Sequence, residues 1–249
     1  MVANNDPRII WSADGVSAHM LSEIVDNEAV NSFPSQVAVK LDRLLLTQYG
    51  LEQISIIQAF GRPVFADAKI IEIPEKCLEI AKLHLKHKPW MLNIMAGACS
   101  TGVWDSDRPD DIDALKRFAD LCHQAGTKPC AVTVLTSKRN TLAFKEFWRT
   151  AVEQVLFYAE LLLQAGFTDI VCSAQEAKAL RKESRFDSLD INTPGIRLPD
   201  DDANGQARTM TPHEAIQAGA SRLVIGRPLS KNGAFANNYA RIMADIEGV

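Results

Sequence analysis

The sequence predicts an α/β protein built as a single (β/α)8 TIM barrel. Eight short β-rich runs recur along the chain, and stretches of helical periodicity fill the gaps between them. The third observation is length: at 249 residues the chain has the size at which barrels of this kind commonly close as one unit, about 250 residues.

The expected strands are Arg8 to Asp14, Gln36 to Leu41, Pro63 to Ile70, Trp90 to Ala96, Lys128 to Thr136, Asp169 to Ala174, Asp190 to Ile196 and Arg222 to Pro228. Their starts lie roughly 20 to 40 residues apart, which suits crossover helices between parallel strands and is too long for hairpins. Helices are expected over Ser17 to Asn27, Pro74 to Lys86, Asp110 to Ala125, Thr141 to Ala165, Ala174 to Lys182 and Thr211 to Ala218. Thr211, with Pro212 after it and Glu214 three residues on, has the form of a capping box. Gly126, Gly166 and Gly219 follow apolar helical ends, as C-terminal caps do. An open doubly wound sheet is the alternative architecture for such an alternation. No linker-like stretch or internal repeat divides the chain, so residues 1–249 are expected to form one domain. One turn-rich insertion, Leu198 to Met210, holds Pro199, three successive aspartates and Gly205, and has the character of a lid at about 198–210.

Composition narrows the class. Hydrophobic residues make up 47% and charged residues 23% of the chain, as in ordinary soluble domains. Net charge is -4 with no basic stripe, which argues against nucleic acid as a partner. The five cysteines are scattered and form no Cys-x-x-Cys pair, so they are expected as buried thiols of a reducing compartment. The polar start of the chain and the lack of a long apolar run point to no membrane association and a cytoplasmic location.

A barrel carries its chemistry at the carboxyl ends of its strands. Polar residues ending apolar runs are therefore the candidates: Asp14, Lys40, Asp67 with Lys69, Asn93, Thr136 with Ser137, and Arg227. In an extended strand Asp67 and Lys69 share a face, so their charges are neighbours at the mouth. Gly226-Arg227-Pro228 after an apolar strand suits a phosphate grip, with forked guanidinium donors and backbone N–H groups.

Together these residues resemble the orotidine 5'-monophosphate decarboxylases, within a suite of barrels sharing an Asp-x-Lys-x-x-Asp motif. The resemblance runs nearly end to end: Asp14, Val37-Ala38-Val39-Lys40, Asp67-x-Lys69, Leu135-Thr136-Ser137, Thr193-Pro194-Gly195-Ile196-Arg197, Gln206-x-Arg208 and Gly226-Arg227-Pro228. It implies decarboxylation of orotidine 5'-monophosphate (OMP) to UMP in pyrimidine biosynthesis, with no metal and no other cofactor. Lys69 would be the acid, in a charge chain with Asp67 and Lys40, and Asp14 and Lys40 would hold ribose hydroxyls. Ser137 would meet the pyrimidine, with Thr136 and Pro194 in the same substrate-binding set, while Gln206, Gly226 and Arg227 would hold the phosphate. Glu72 and Lys76 stand where the family places an Asp and a Thr that reach the neighbouring subunit's site, so the resemblance implies a homodimer. Two other readings stay open. One is a magnesium-dependent sugar-phosphate decarboxylase or aldolase of the same suite, which would favour an acidic ligand where this chain has Lys40. The other is a non-catalytic nucleotide-binding protein.

Overall fold

A computed structural model of the chain describes residues 6–26, 33–98, 110–136, 140–198 and 209–248. Eight parallel strands close in chain order into a barrel: β1 (Ile9–Ser12), β2 (Val37–Asp42), β3 (Val64–Ile70), β4 (Met91–Met95), β5 (Lys128–Val132), β6 (Asp169–Val171), β7 (Asp190–Thr193) and β8 (Arg222–Ile225). The seam between first and last strands pairs Ile9 with Leu223 and Trp11 with Ile225. Closure leaves no edge strand with unpaired backbone.

Alternation along each strand sorts the apolar side chains into two bodies. Ile9, Trp11, Val37, Val39, Leu41, Val64, Ala66, Leu92, Ile94, Leu223 and Ile225 join the larger core, between sheet and helices. Their neighbours Ile10, Ala38, Phe65, Met91, Cys130 and Val224 form a separate plug inside the barrel. Period-two placement on a closed sheet has this consequence, because one face points to the axis and the other to the surrounding helices.

Those helices are α1 (Ala18–Val25), α2 (Arg43–Tyr49), α3 (Glu52–Ala59), α4 (Pro74–Leu85), α5 (Asp110–Ala125), α6 (Asn140–Phe147), α7 (Ala151–Gln164), α8 (Ala174–Leu180), α9 (Pro212–Gln217), α10 (Arg227–Ser230) and α11 (Phe235–Glu247). The Thr211–Glu214 capping box forms, with Pro212 in the first helical turn. Gly126, Gly166 and Gly219 all take positive φ behind their helices, the left-handed turn that L side chains resist. At Gly219 a Cβ would also run into Arg181 Cγ.

Several boundaries differ from the sequence expectations. The helix expected over Thr141 to Ala165 is two helices, because Trp148 turns left-handed at φ 55 and Thr150 and Glu153 form a second capping box that starts α7. Strands five to eight stop short of their expected ends. Ser173 caps α8, and Arg227 opens α10 with Pro228 beside it, where the lost N–H costs nothing. Helices α2, α3, α10 and α11 were not expected. In α2 and α3 the apolar periodicity is interrupted by Gly50, which closes α2 with φ 88.

The amino-terminal end of the barrel is sealed by charge. Arg222, fully buried, bonds Asp169 at 2.6 Å and Asp6 and Asp190 at 2.7 Å each, and stacks at 5.3 Å on the Trp90 ring. All three carboxylates outweigh the burial that opposes its charge, so its pKa is raised. Sealing one end in this way leaves the opposite mouth as the place for a ligand.

Candidate active site

At the carboxyl ends of the strands lies an open cavity of about 570 Å3. Its wall takes Ser12 and Asp14 from the first strand and its exit, Lys40 from β2, Phe65, Asp67 and Lys69 from β3, Arg197 from the segment after β7, and Arg227 from the segment after β8, the strand paired with β1. Thr136, Pro194, Gly195 and Gly226 also line it.

Strand alternation explains the first wall. On β1 and its exit, Ile10, Ser12 and Asp14 point inward; on β2 it is Ala38 and Lys40; on β3, Phe65 and Asp67. In each case an apolar residue sits in the plug and a polar one stands above it at the mouth.

The charged groups form a chain. Lys40 Nζ lies 2.7 Å from Asp14 Oδ1 and 2.7 Å from Asp67 Oδ2. Lys69 Nζ lies 2.5 Å from the same Asp67 oxygen. Lys40 and Asp67 are buried, while Asp14 and Lys69 are open to the cavity. Burial by itself would raise the Asp67 pKa; the Lys40 and Lys69 ammonium groups outweigh it and hold the carboxyl at about 2. For Lys40 burial acts the other way, and Asp67 and Asp14 overcome it to raise the pKa. The four groups alternate in sign and sum to zero, and the outermost cation faces the cavity.

Asp67 and Lys69 share the mouth as expected, but not through a regular strand. Ala66 pairs with Leu92 and Ile70 with Ile94, so three residues of β3 face the single Asn93 of β4. Lys69 takes φ 43 inside this bulge. Asn93 bridges it: its Nδ2 donates to Asp67 Oδ1 at 2.6 Å, and its Oδ1 accepts from the Lys69 backbone N–H at 2.7 Å.

Of the other expected site residues, Thr136, Pro194, Gly226 and Arg227 all reach the cavity. Ser137 and Gln206 lie outside the described residues, as do Arg208, Cys99 and most of the lid-like insertion. Only its edges are described: Met210 bridges back to Ile196, and Leu198 is buried. Glu72 and Lys76 are absent from the lining of this cavity. Glu72 Oε2 accepts from the N–H of Ile73 at 2.7 Å, and Lys76 pairs with Glu79 at 2.7 Å, both exposed. Sequence reasoning missed Arg197 as a lining residue, although it stands three positions after Pro194 in the segment quoted for the resemblance. Among the described residues no group of three or more His, Cys, Asp or Glu could hold a metal ion. Nor is any helix there long and apolar enough to cross a membrane. Cys77, Cys122, Cys130 and Cys172 are buried thiols in no disulfide among the described residues, and burial pushes the Cys122 thiol up to about 12.

Residues 9–242 match the model of the Orotidine 5'-phosphate decarboxylase / HUMPS family. The orotidine 5'-phosphate decarboxylase of Chromohalobacter salexigens is 36% identical over 199 residues, 80% of each chain. That of Tolumonas auensis is 33% identical over 228 residues, 91% of this chain and 92% of the other. The crystal structure of orotidine 5'-phosphate decarboxylase from Lactobacillus acidophilus shares the fold with a TM-score of 0.76 at 26% identity, over 97% of this chain and 99% of that one. With its barrel, its mouth of alternating charges and this match over most of its length, the chain belongs to the orotidine 5'-phosphate decarboxylase / HUMPS family.

Proposed function

We propose that the chain is an orotidine 5'-phosphate decarboxylase that converts OMP to UMP and CO2 without a metal or other cofactor. The observation that carries this reading is the Lys69 ammonium, 2.5 Å from Asp67 Oδ2 and open to the cavity. Loss of CO2 breaks the bond from C6 to the carboxyl carbon and leaves the electron pair on a ring carbon that delocalises it poorly. A fixed cation is worth most when that charge develops. Two unit charges about 4 Å apart gain about 1 kcal/mol in water and about 4 kcal/mol at an effective dielectric of 20. Lys69 then passes a proton to C6, and the neutral amine takes another from solvent.

Asp67 serves this step by staying ionised. With its pKa at about 2 it remains a carboxylate wherever the protein is folded near neutrality, holding the acid beside the reacting carbon. Asp14 and Lys40 offer an acceptor and donors for ribose hydroxyls. The exits of β7 and β8 bear Arg197 and Arg227, which suits the phosphate dianion of the nucleotide. Ser137 and Gln206 are assigned to the pyrimidine and phosphate on the family resemblance alone.

The active unit in this reading is a homodimer. Glu72 and Lys76 lie off their own cavity, and Ile71 and Ile73 beside them are 58% and 64% exposed. Covering that face with a second copy brings Glu72 toward the partner's mouth. The sister reading, a magnesium-dependent reaction on a sugar phosphate, needs an acidic ligand where β2 carries Lys40, whose ammonium is already held by two carboxylates. The test follows the ultraviolet absorbance of OMP with purified protein, with and without EDTA. Chelator-insensitive loss of OMP is expected; turnover only of sugar phosphates and only with metal, or binding of UMP without turnover of OMP, would overturn the assignment.

A further inference from the structure

Asn93 lies beneath the cavity floor, fully buried and absent from the lining. It is the single β4 residue opposite the three-residue bulge of β3. A backbone N–H buried where the ladder has opened must find another acceptor, and the Lys69 N–H finds Asn93 Oδ1. That contact fixes the amide orientation, since only the oxygen accepts; the Nδ2 end then donates to Asp67 Oδ1. The side chain therefore spans the acid–carboxylate pair, occupying the Asp67 oxygen that the two ammonium groups leave open. We propose that Asn93 is a positioning residue: its amide holds Lys69 in its left-handed conformation and turns Asp67 so that both ammonium groups share one carboxylate oxygen. The inference rests on the decarboxylase reading and deepens it. A left-handed backbone at a lysine is unfavourable by itself, and the amide supplies the contact that retains it.

The test uses Asn93→Ala and the near-isosteric Asn93→Asp in the full chain. Because Asn93 does not touch the substrate cavity, both variants should bind UMP within about threefold of wild type. Their kcat at pH 8 should fall about 100-fold, the cost of misplacing a reacting group by about an ångström. Asn93→Asp adds a readout that a purely structural role would not move. At high pH the new carboxylate opposes Asp67; once protonated it presents one donor and one acceptor, as the amide does. Its kcat should rise about tenfold between pH 8 and pH 5.5 relative to wild type. The titratable groups packed around the position are Asp67 and Lys69 on β3, Lys40 on β2 beyond Asp67, and Cys130, its register partner on β5. Burial keeps the Cys130 thiol protonated throughout that range. Wild-type kcat in Asn93→Ala, or no acid limb in Asn93→Asp, overturns the proposal. So does a crystal structure of Asn93→Ala in which Lys69 keeps its positive φ and its contact with Asp67, and that result holds even if wild-type protein does not decarboxylate OMP. Failure of Asn93→Ala to fold leaves the decision to Asn93→Asp.

Discussion

Asp67 carries its charge where burial opposes it, and two ammonium groups decide the balance. Its pKa falls from the usual 3.8 to about 2, so the folded state binds its proton less readily than the unfolded chain does. The resulting stabilisation is fully present above pH 4 and is lost as the pH falls toward 2. Its size is on the order of 2 kcal/mol. Denaturant melts of wild type and Asp67→Asn between pH 6 and pH 2.5 check this: wild-type stability should decline over that interval more steeply than the variant's, and parallel curves would contradict it. The exit of β8 supports a separate expectation. Arg227→Ala should weaken UMP binding by roughly 10- to 100-fold, the value of a charged hydrogen bond, measured by calorimetry. At this scale the sequence was informative, since Asp14, Lys40, Asp67, Lys69, Thr136 and Arg227 were all visible as polar residues ending apolar runs. Arg197 was not distinguished, because an arginine after a strand has the same appearance in sequence whether it faces a cavity or water.

Elements were legible where periodicity was uninterrupted. The β1 to β4 runs and α4, α5 and α9 lie close to their expected spans, since strand alternation and helical periodicity run unbroken there and, at α9, the capping box agrees. The bulge of β3 had no sequence signal: Asp67-Ala68-Lys69 has a strand's alternation, and only pairing with Asn93 reveals three residues facing one. The division between α6 and α7 did have a signal. Thr150 and Glu153 have capping-box spacing, but the apolar stripe continues across them and hides the break. That cap has a measurable consequence. Thr150 accepts from the N–H of Glu153 and Glu153 from that of Thr150, so Thr150→Ala should cost about 1 kcal/mol and lower Tm by about 3 °C in a thermal melt. No change in Tm would mean that α7 is held by packing alone.

The whole molecule is polarised along the barrel axis, with a sealed ionic end and an open chemical one. Arg222 was expected only as the start of a strand; that it gathers Asp6, Asp169 and Asp190 depends on barrel closure, which brings residues from distant parts of the sequence together. Arg222→Ala would leave Asp169 buried without its cation, a loss of roughly 3–5 kcal/mol. Thermal denaturation should show Tm lower by about 10 °C, and an unchanged Tm would contradict the role given to this network. The opposite mouth contains the central claim, that the ammonium of Lys69 beside Asp67 stabilises and protonates the carbon released by decarboxylation. The direct measurement compares OMP turnover and UMP binding in wild type and Lys69→Ala. The variant should lose at least about 10^4-fold in kcat while binding UMP nearly as well as wild type; normal turnover without that amine would contradict the account.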